Sequence, residues 1–342
     1  MELKNMLRDL CIAAGVNGCR EAADVAARYL SDFTEEIHRD RLGNVWGFLR
    51  SDIPDAPTLL LEAHIDEIGF TVTQIDDNGF LHVAPCGGVD NRALSAAPIT
   101  VLSDPPCNGV FCATPIHLAK DDAPLTELTE RGIDVGLSAE EAKVRIPLGT
   151  RAVFAAHFEE LLNDRVCSKA LDHRAGVAAI LYALSLLKGQ SLPCNVVAAF
   201  CVQEELGLRG AKTAAFGIRP DAAIVVDVSF AHTPDTDKAF CGTLGGGVML
   251  GISPILDKNM TDSLRDLAEN QKLPLQCEVM GETTCTNADA VSVTADGVST
   301  ALLSIPLKFM HTPAEVVSLR DVETVARLMA AFVAEGEVSG RA

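Results

Sequence analysis

In PTLLLEAHIDEIGF, residues 57–70, Leu59, Leu60 and Leu61 follow one another with no polar residue between them. A half-exposed strand would alternate, so a strand with this run must be covered on both faces, as in a helix-covered sheet. The run ends in His64, with Asp66 two residues further on. Residues i and i+2 of a strand share a face, so a histidine and a carboxylate leave the sheet together. In open α/β sheets ligands gather beyond the carboxyl ends of the strands.

The same texture returns downstream. AGVAAILYALSLLKG (175–189) carries a helical apolar stripe through Val177, Ile180, Leu181 and Leu184. NVVAAFCVQEELG (195–207) reads as a strand, LRGAKTAAFG (208–217) as a helix and DAAIVVDVSF (221–230) as another strand. VSTALLSIPLK (298–308) is the last long strand, and a final helix begins near Ser318, whose hydroxyl with Asp321 fits a capping box. Upstream, the first thirty residues have helical spacing, and EIHRDRLGNVWGFLR (36–50) suggests two short strands around Gly43-Asn44. This alternation predicts an α/β fold: a mostly parallel twisted sheet covered by helices.

From Thr71 to His157 the texture changes to short β-rich pieces such as GFLHVAP and RAVFAAHF between Gly, Pro and Asp clusters. SAEEAKVRI, from Ser138, is the one short helix expected there. The chain is therefore expected to divide into a principal domain, 1–70 with 158–342, and a smaller inserted β-rich domain, 71–157.

Asp plus Glu outnumber Lys plus Arg by 47 to 28, a net charge of −19. That surface would repel nucleic acid and anionic membranes. No apolar span reaches the length of a membrane helix, and MELKNMLRDLCIAAG carries charge throughout, unlike a leader peptide. Eleven cysteines, an odd number without a CxxC pair, read as reduced thiols. A cytoplasmic protein is expected.

Five predicted strand ends or adjoining turns carry a potential metal ligand: His64, Asp172, Glu205, Asp227 and His311. Imidazole with carboxylate suits zinc, cobalt or manganese. Five ligands exceed one catalytic ion's needs but suffice for two if a carboxylate bridges. Each has a bland alternative: Asp172 in KALDHRAG could be a helix cap, and His64 a histidine satisfied by a carbonyl. In QEELG the adjacent Glu204 and Glu205 diverge, so Glu205 can bind metal while Glu204 moves a proton. Asp66 is placed to orient His64. His117, His173 and His232 are assigned no ligand role. The glycines of GTLGGG (242–247) lack dinucleotide-motif spacing and instead permit a sharp turn or a close approach.

Taken together, HIDEIGF (64–70), GGVD (87–90), KALDHRAG (169–176), QEELGLRGA (203–211), PDAAIVVDV (220–228) and IPLKFMHTPAE (305–315) resemble the M42 family of metallo-aminopeptidases. This is the glutamyl and tetrahedral aminopeptidase group, once described as cellulases. The resemblance implies a dinuclear site with zinc or cobalt: His64 and Asp227 complete one position, Glu205 and His311 the other, and Asp172 bridges. It implies Glu204 as general base, peptides with a free N-terminus as substrates, and dimer-based homo-oligomers forming twelve-subunit tetrahedral particles. The chain departs from the family pattern at Asn287 (commonly Asp), Lys308-Phe309 (commonly Arg-Tyr), His173 (commonly Asp or Asn) and His232 (commonly Asp). None of these is an expected ligand; they bear on substrate preference and tuning. The rival readings are an amidohydrolase of N-acyl amino acids and a non-catalytic member with an assembly or binding role.

Overall fold

The computed structural model describes residues 2–17, 19–115, 117–118, 127–336 and 338. Two helices, α1 (Leu3–Ile12) and α2 (Glu21–Leu30), precede β1 (Ile37–Arg39), β2 (Val45–Leu49) and β3 (Thr58–His64). The chain then leaves for β4 (Gly69–Ile75), β5 (Leu81–Cys86), β6 (Pro98–Val101), β7 (Cys107–Phe111), β8 (Ile133–Asp134), α3 (Ala139–Arg145) and β9 (Arg151–Phe154). It returns through β10 (Phe158–Leu161), β11 (Arg165–Ser168), α4 (Leu171–Leu187), β12 (Asn195–Cys201), α5 (Arg209–Ile218) and β13 (Ala222–Phe230). Last come β14 (Val248–Ile252), α6 (Lys258–Asn270), β15 (Leu275–Val279), α7 (Ala288–Val291), β16 (Ser299–Lys308), β17 (Glu315–Ser318) and α8 (Leu319–Glu335).

The leucine run is covered on both faces. Leu59, Leu61 and Ala63 point into a core shared with α1, α4, α6 and α8, while Leu60 points into a second core with α5 and α7. Each fully buried leucine contributes about 1.5–3 kcal/mol of hydrophobic stabilisation. Helix α4 is buried on nearly every side, which is why its stripe broadens into near-continuous apolarity.

The expectation of a mostly parallel sheet is wrong. The sheet is mixed, in the order β1-β2-β12-β3-β13-β16-β17-β11-β10, with β14 pairing both β16 and β15. Parallel pairing is confined to β12-β3-β13-β16 and to β14-β15; every other pairing in the sheet is antiparallel. Connection length accounts for the hairpin pairs β1-β2, β10-β11 and β16-β17, while β2-β12, β11-β17 and β14-β16 pair antiparallel across long stretches of chain. Parallel neighbours need a crossover of a dozen residues or more, and short returns cannot supply it. Between β10 and β11 the chain reverses through Asn163 and Asp164, both left-handed at φ 63° and 55°, the conformation of a tight hairpin turn.

The intervening segment forms a closed barrel, β4-β5-β8-β7-β6-β9, paired antiparallel throughout. Closure removes the open sheet edges, and Phe70 packs edge-on against Phe111 and Phe154 inside, with ring centroids 5.0 and 5.4 Å away. Helix α3 carries the full capping box of Ser138 and Glu141.

The capping box expected at α8 is not made. Ser318 occupies the N-cap position without a side-chain bond. Asp321 instead accepts the backbone N–H groups of Gly245 and Gly247, at 2.7 and 2.8 Å. The glycine loop turns sharply at Gly245 and Gly247, φ 87° and 89°. All eleven cysteines are free thiols. Among the described residues no helix is long and apolar enough to cross a membrane.

Candidate metal centre

Strands β12, β3 and β13 run parallel, with Cys201 opposite His64 in the register, so their carboxyl ends meet at one edge. His64 closes β3 and Asp227 lies near the end of β13. Glu204 and Glu205 sit in the turn after β12, and His311 in the turn between β16 and β17. Asp172 comes from the start of α4, where the backbone departs from helical values at φ −80° and ψ 103°.

The Asp172 carboxylate lies between the two histidines. Its Oδ1 is 3.1 Å from His64 Nε2, and its Oδ2 is 3.3 Å from His311 Nε2. Asp227 Oδ1 is 4.0 Å from His64 Nε2, and Glu205 Oε1 is 3.3 Å from His311 Nε2. Among the described residues, donor atoms of His64, Asp172 and Asp227 fall within 4.8 Å of one another, as do those of Asp172, Glu205 and His311. A third such group joins His64 to Glu204 and Glu205. All seven residues singled out from the sequence therefore converge here, Asp66 lying beneath His64 with Oδ1 3.5 Å from Nδ1.

Buried hydrogen bonds hold this arrangement. Asp66 accepts the backbone N–H groups of Glu204 and Glu205 at 3.1 and 3.3 Å, fixing the turn that presents both glutamates. His311 Nδ1 lies 2.6 Å from the carbonyl oxygen of Gly88. A carbonyl can only accept, so Nδ1 donates its proton there, and Nε2 is the nitrogen turned toward the Asp172 and Glu205 carboxylates. The backbone must come close there: a Cβ on Gly88 would sit 3.1 Å from His311 Nδ1.

Sequence reasoning gave no role to Glu315, Glu67 or Lys169. Glu315 is buried and accepts the N–H of Asp172 through Oε2 (3.0 Å) and that of His311 through Oε1 (2.9 Å). Glu67 Oε2 accepts from Lys169 Nζ at 2.7 Å, and Glu67 Oε1 accepts the Gly15 N–H at 2.8 Å and lies 3.5 Å from Arg174. These charged side chains are almost wholly buried, and they tie the HIDE segment to the start of α4. The signal available was charge inside apolar stretches, as in HIDEIG and AEVVS.

His173, cis-linked to Asp172, is buried with its ring centroid 5.4 Å from that of His64, and it joins no donor cluster. Burial drives its imidazole down to about 3. His117 is exposed and His232 faces Thr236, each outside the described clusters. Asn287 donates to Glu62 Oε1 at 2.8 Å, and burial pushes that carboxyl up to about 7. Phe309 is exposed at φ 60°.

Crowding strains the ionisation of the whole group. Burial pushes Glu204 up to about 7; His64 opposes the rise, and Glu205, Asp66 and Asp172 add to it. Burial likewise raises Asp227 well above the carboxylate range. Burial would pull His311 down, but its hydrogen bonds to Asp172 and Glu205 overturn that and raise it to about 11. Asp172 runs the other way: burial would raise it, yet His311 and His64 hold it far below its ordinary value. Ionising several buried carboxylates side by side is costly unless cations sit among them. Two imidazoles with carboxylates fit divalent metal ions, and the two clusters sharing Asp172 are candidate dinuclear sites.

A family model described as M42 glutamyl aminopeptidase matches residues 43–328. The chain belongs to the M42 family. This M42 peptidase is a metal-dependent aminopeptidase, the reading favoured by its family and its metal-ligand clusters. It is 32% identical to a lysyl aminopeptidase of Pyrococcus furiosus over 96% of each chain. Its fold matches an aminopeptidase of the archaeon Desulfurococcus kamchatkensis with a TM-score of 0.91 and 32% identity, covering 97% of this chain and 94% of that one. It also matches the Pyrococcus horikoshii TET1 peptidase, described as assembling into a tetrahedron or a large octahedral shell, at TM-score 0.86 and 31% identity. That match covers 98% of this chain and 100% of TET1.

Proposed function

We propose that His64, Asp172 and Asp227 hold one divalent ion, that Asp172, Glu205 and His311 hold a second, and that Asp172 is common to both. The observation carrying this reading is the Asp172 carboxylate, which turns one oxygen to each histidine at 3.1 and 3.3 Å. Zinc or cobalt suits the mixture of imidazole and carboxylate. When bound, the ions supply Lewis acidity, polarising a peptide carbonyl and making water easier to deprotonate.

The protein's own groups do the rest. Glu204, raised toward neutrality, takes a proton from the attacking water and returns it to the departing amine nitrogen. Asp66 keeps Glu204 in place through the backbone and faces His64 Nδ1, while Glu315 anchors the backbones of Asp172 and His311. The substrates are peptides with a free N-terminus, released one residue at a time. The catalytic unit is residues 1–70 with 158–342, and 71–157 is its insert. A dimer-based homo-oligomer with a dodecamer as its particle is the expected assembly, in line with the dodecamer and the tetrahedron described for TET1. The net charge of −19 and the free cysteines fit the cytoplasm and argue against nucleic acid or membrane partners.

The test strips the protein with chelator and reloads it with zinc or cobalt. Metal stoichiometry is then measured alongside cleavage of free and N-blocked aminoacyl p-nitroanilides. Two ions per chain and cleavage of the free-amine substrates alone are expected. Glu204→Gln should keep both ions yet lose about 10²–10⁴ in kcat. Unchanged turnover in the reloaded variant would remove Glu204 from proton transfer.

A further inference from the structure

The cavity of about 350 Å³ at the metal centre continues past the metal-ligating residues to Ser229, Ser304, Glu278, Met280, Thr284 and Thr286. Glu278 is the carboxylate in this lining that belongs to none of the donor clusters. It projects from β15, which among the described strands pairs with β14 alone. Its register partner on β14 is Gly251, which adds no side chain of its own between Glu278 and the next strands. Two hydroxyls reach it from there. Ser229 of β13 donates to Oε1, and Ser304 of β16 donates to Oε2 at 2.8 Å.

This carboxylate is held rather than neutralised. Serine hydroxyls bring no charge, and among the described residues neither lysine nor arginine lines the cavity. A carboxylate offers about four lone-pair sites, so two hydroxyl donors leave room for an incoming cation. Charge counting points the same way. Two divalent ions would be matched by the carboxylates of Asp172, Glu204, Glu205 and Asp227, and Glu278 stands outside that pairing.

We propose that Glu278, fixed by Ser229 and Ser304, selects substrates whose N-terminal residue has a cationic side chain, lysine or arginine. The inference rests on the aminopeptidase reading and deepens it. Methylenes of the side chain run along Met280 and Leu302, which also line the cavity, and the charged end meets the Glu278 carboxylate. A glutamyl side chain would place like charges together in the same space.

The reloaded enzyme is assayed with lysyl, arginyl, methionyl, leucyl and glutamyl p-nitroanilides. Wild type should prefer lysyl and arginyl over methionyl by about 10- to 100-fold in kcat/KM, the factor expected for a charge-assisted hydrogen bond, with glutamyl the poorest. Glu278→Gln, close in shape, should collapse that lysyl-to-methionyl ratio toward one, and Glu278→Asp should restore part of it. Metal content and thermal unfolding of each variant are read alongside. A wild-type preference for neutral or glutamyl substrates overturns the inference without any variant. An equal loss by Glu278→Gln on every substrate also overturns it, because Glu278 would then be reading the common α-amine. Cleavage of N-blocked substrates alone, or of none, would fell the aminopeptidase reading and this inference with it; cleavage of free-amine substrates without basic preference fells only the inference.

Discussion

Glu315 accepts one backbone N–H from Asp172 and another from His311, so a single buried carboxyl sets a residue of each donor cluster. Glu315→Ala leaves both donors unpaired, at about 1–3 kcal/mol for each, and loosens the two side chains they position. The variant should unfold at lower temperature and bind metal about 10- to 100-fold more weakly. Thermal unfolding in chelator separates the first effect, and metal titration of the refolded protein reads the second. Legibility differs among these residues. His64, Asp227 and the glutamates stand at the ends of apolar runs, where a polar side chain is conspicuous. Lys169 takes its meaning from a partner 102 positions away, and Glu315 joins the nearby His311 to a residue 143 positions away, distances no local pattern encodes.

At the level of elements, α8 shows how a local motif can be outbid. Ser318 and Asp321 have capping-box spacing, but the glycine loop before β14 offers Asp321 two backbone donors, which it takes. Asp321→Ala should therefore lower the unfolding temperature more than Ser318→Ala does, because it strands the N–H groups of Gly245 and Gly247. An equal effect of the two variants would return the role to the helix cap. The same scale explains the sheet. The central strands β12, β3 and β13 were readable from apolar runs with helices between them, whereas the hairpins β10-β11 and β16-β17 return through short connections that favour antiparallel pairing. Periodicity reports what a strand buries; in these hairpins its direction comes from the length of chain available to turn around.

Across the whole molecule, protons and cations compete for one cluster. In metal-stripped protein Glu204 is raised from 4.5 to about 7, so the folded chain holds a proton that the unfolded chain has released over that interval. Its stabilising contribution is present below 4.5 and is lost as pH climbs through 7. His311, raised from 6.5 to about 11, contributes below 6.5 and fades as pH rises toward 11. Divalent ions need the deprotonated carboxylates, so their affinity grows in the opposite direction. The gap in unfolding temperature between loaded and chelated protein should therefore widen from pH 5 to pH 8. A gap that is constant or narrows would mean that these groups do not gate metal binding.

Gly88 follows the barrel strand β5, and its carbonyl receives the Nδ1 proton of His311, a residue of the main sheet's last turn. His64 has no such tether; its neighbours Asp66, Asp172 and Asp227 all lie outside the barrel strands. The two histidines are thus held differently: His311 is bonded across to the segment that follows a barrel strand, while the polar neighbours of His64 come from the main sheet and its helices. A push on the barrel would reach the His311 imidazole directly and the His64 imidazole only by way of the Asp172 carboxylate between them.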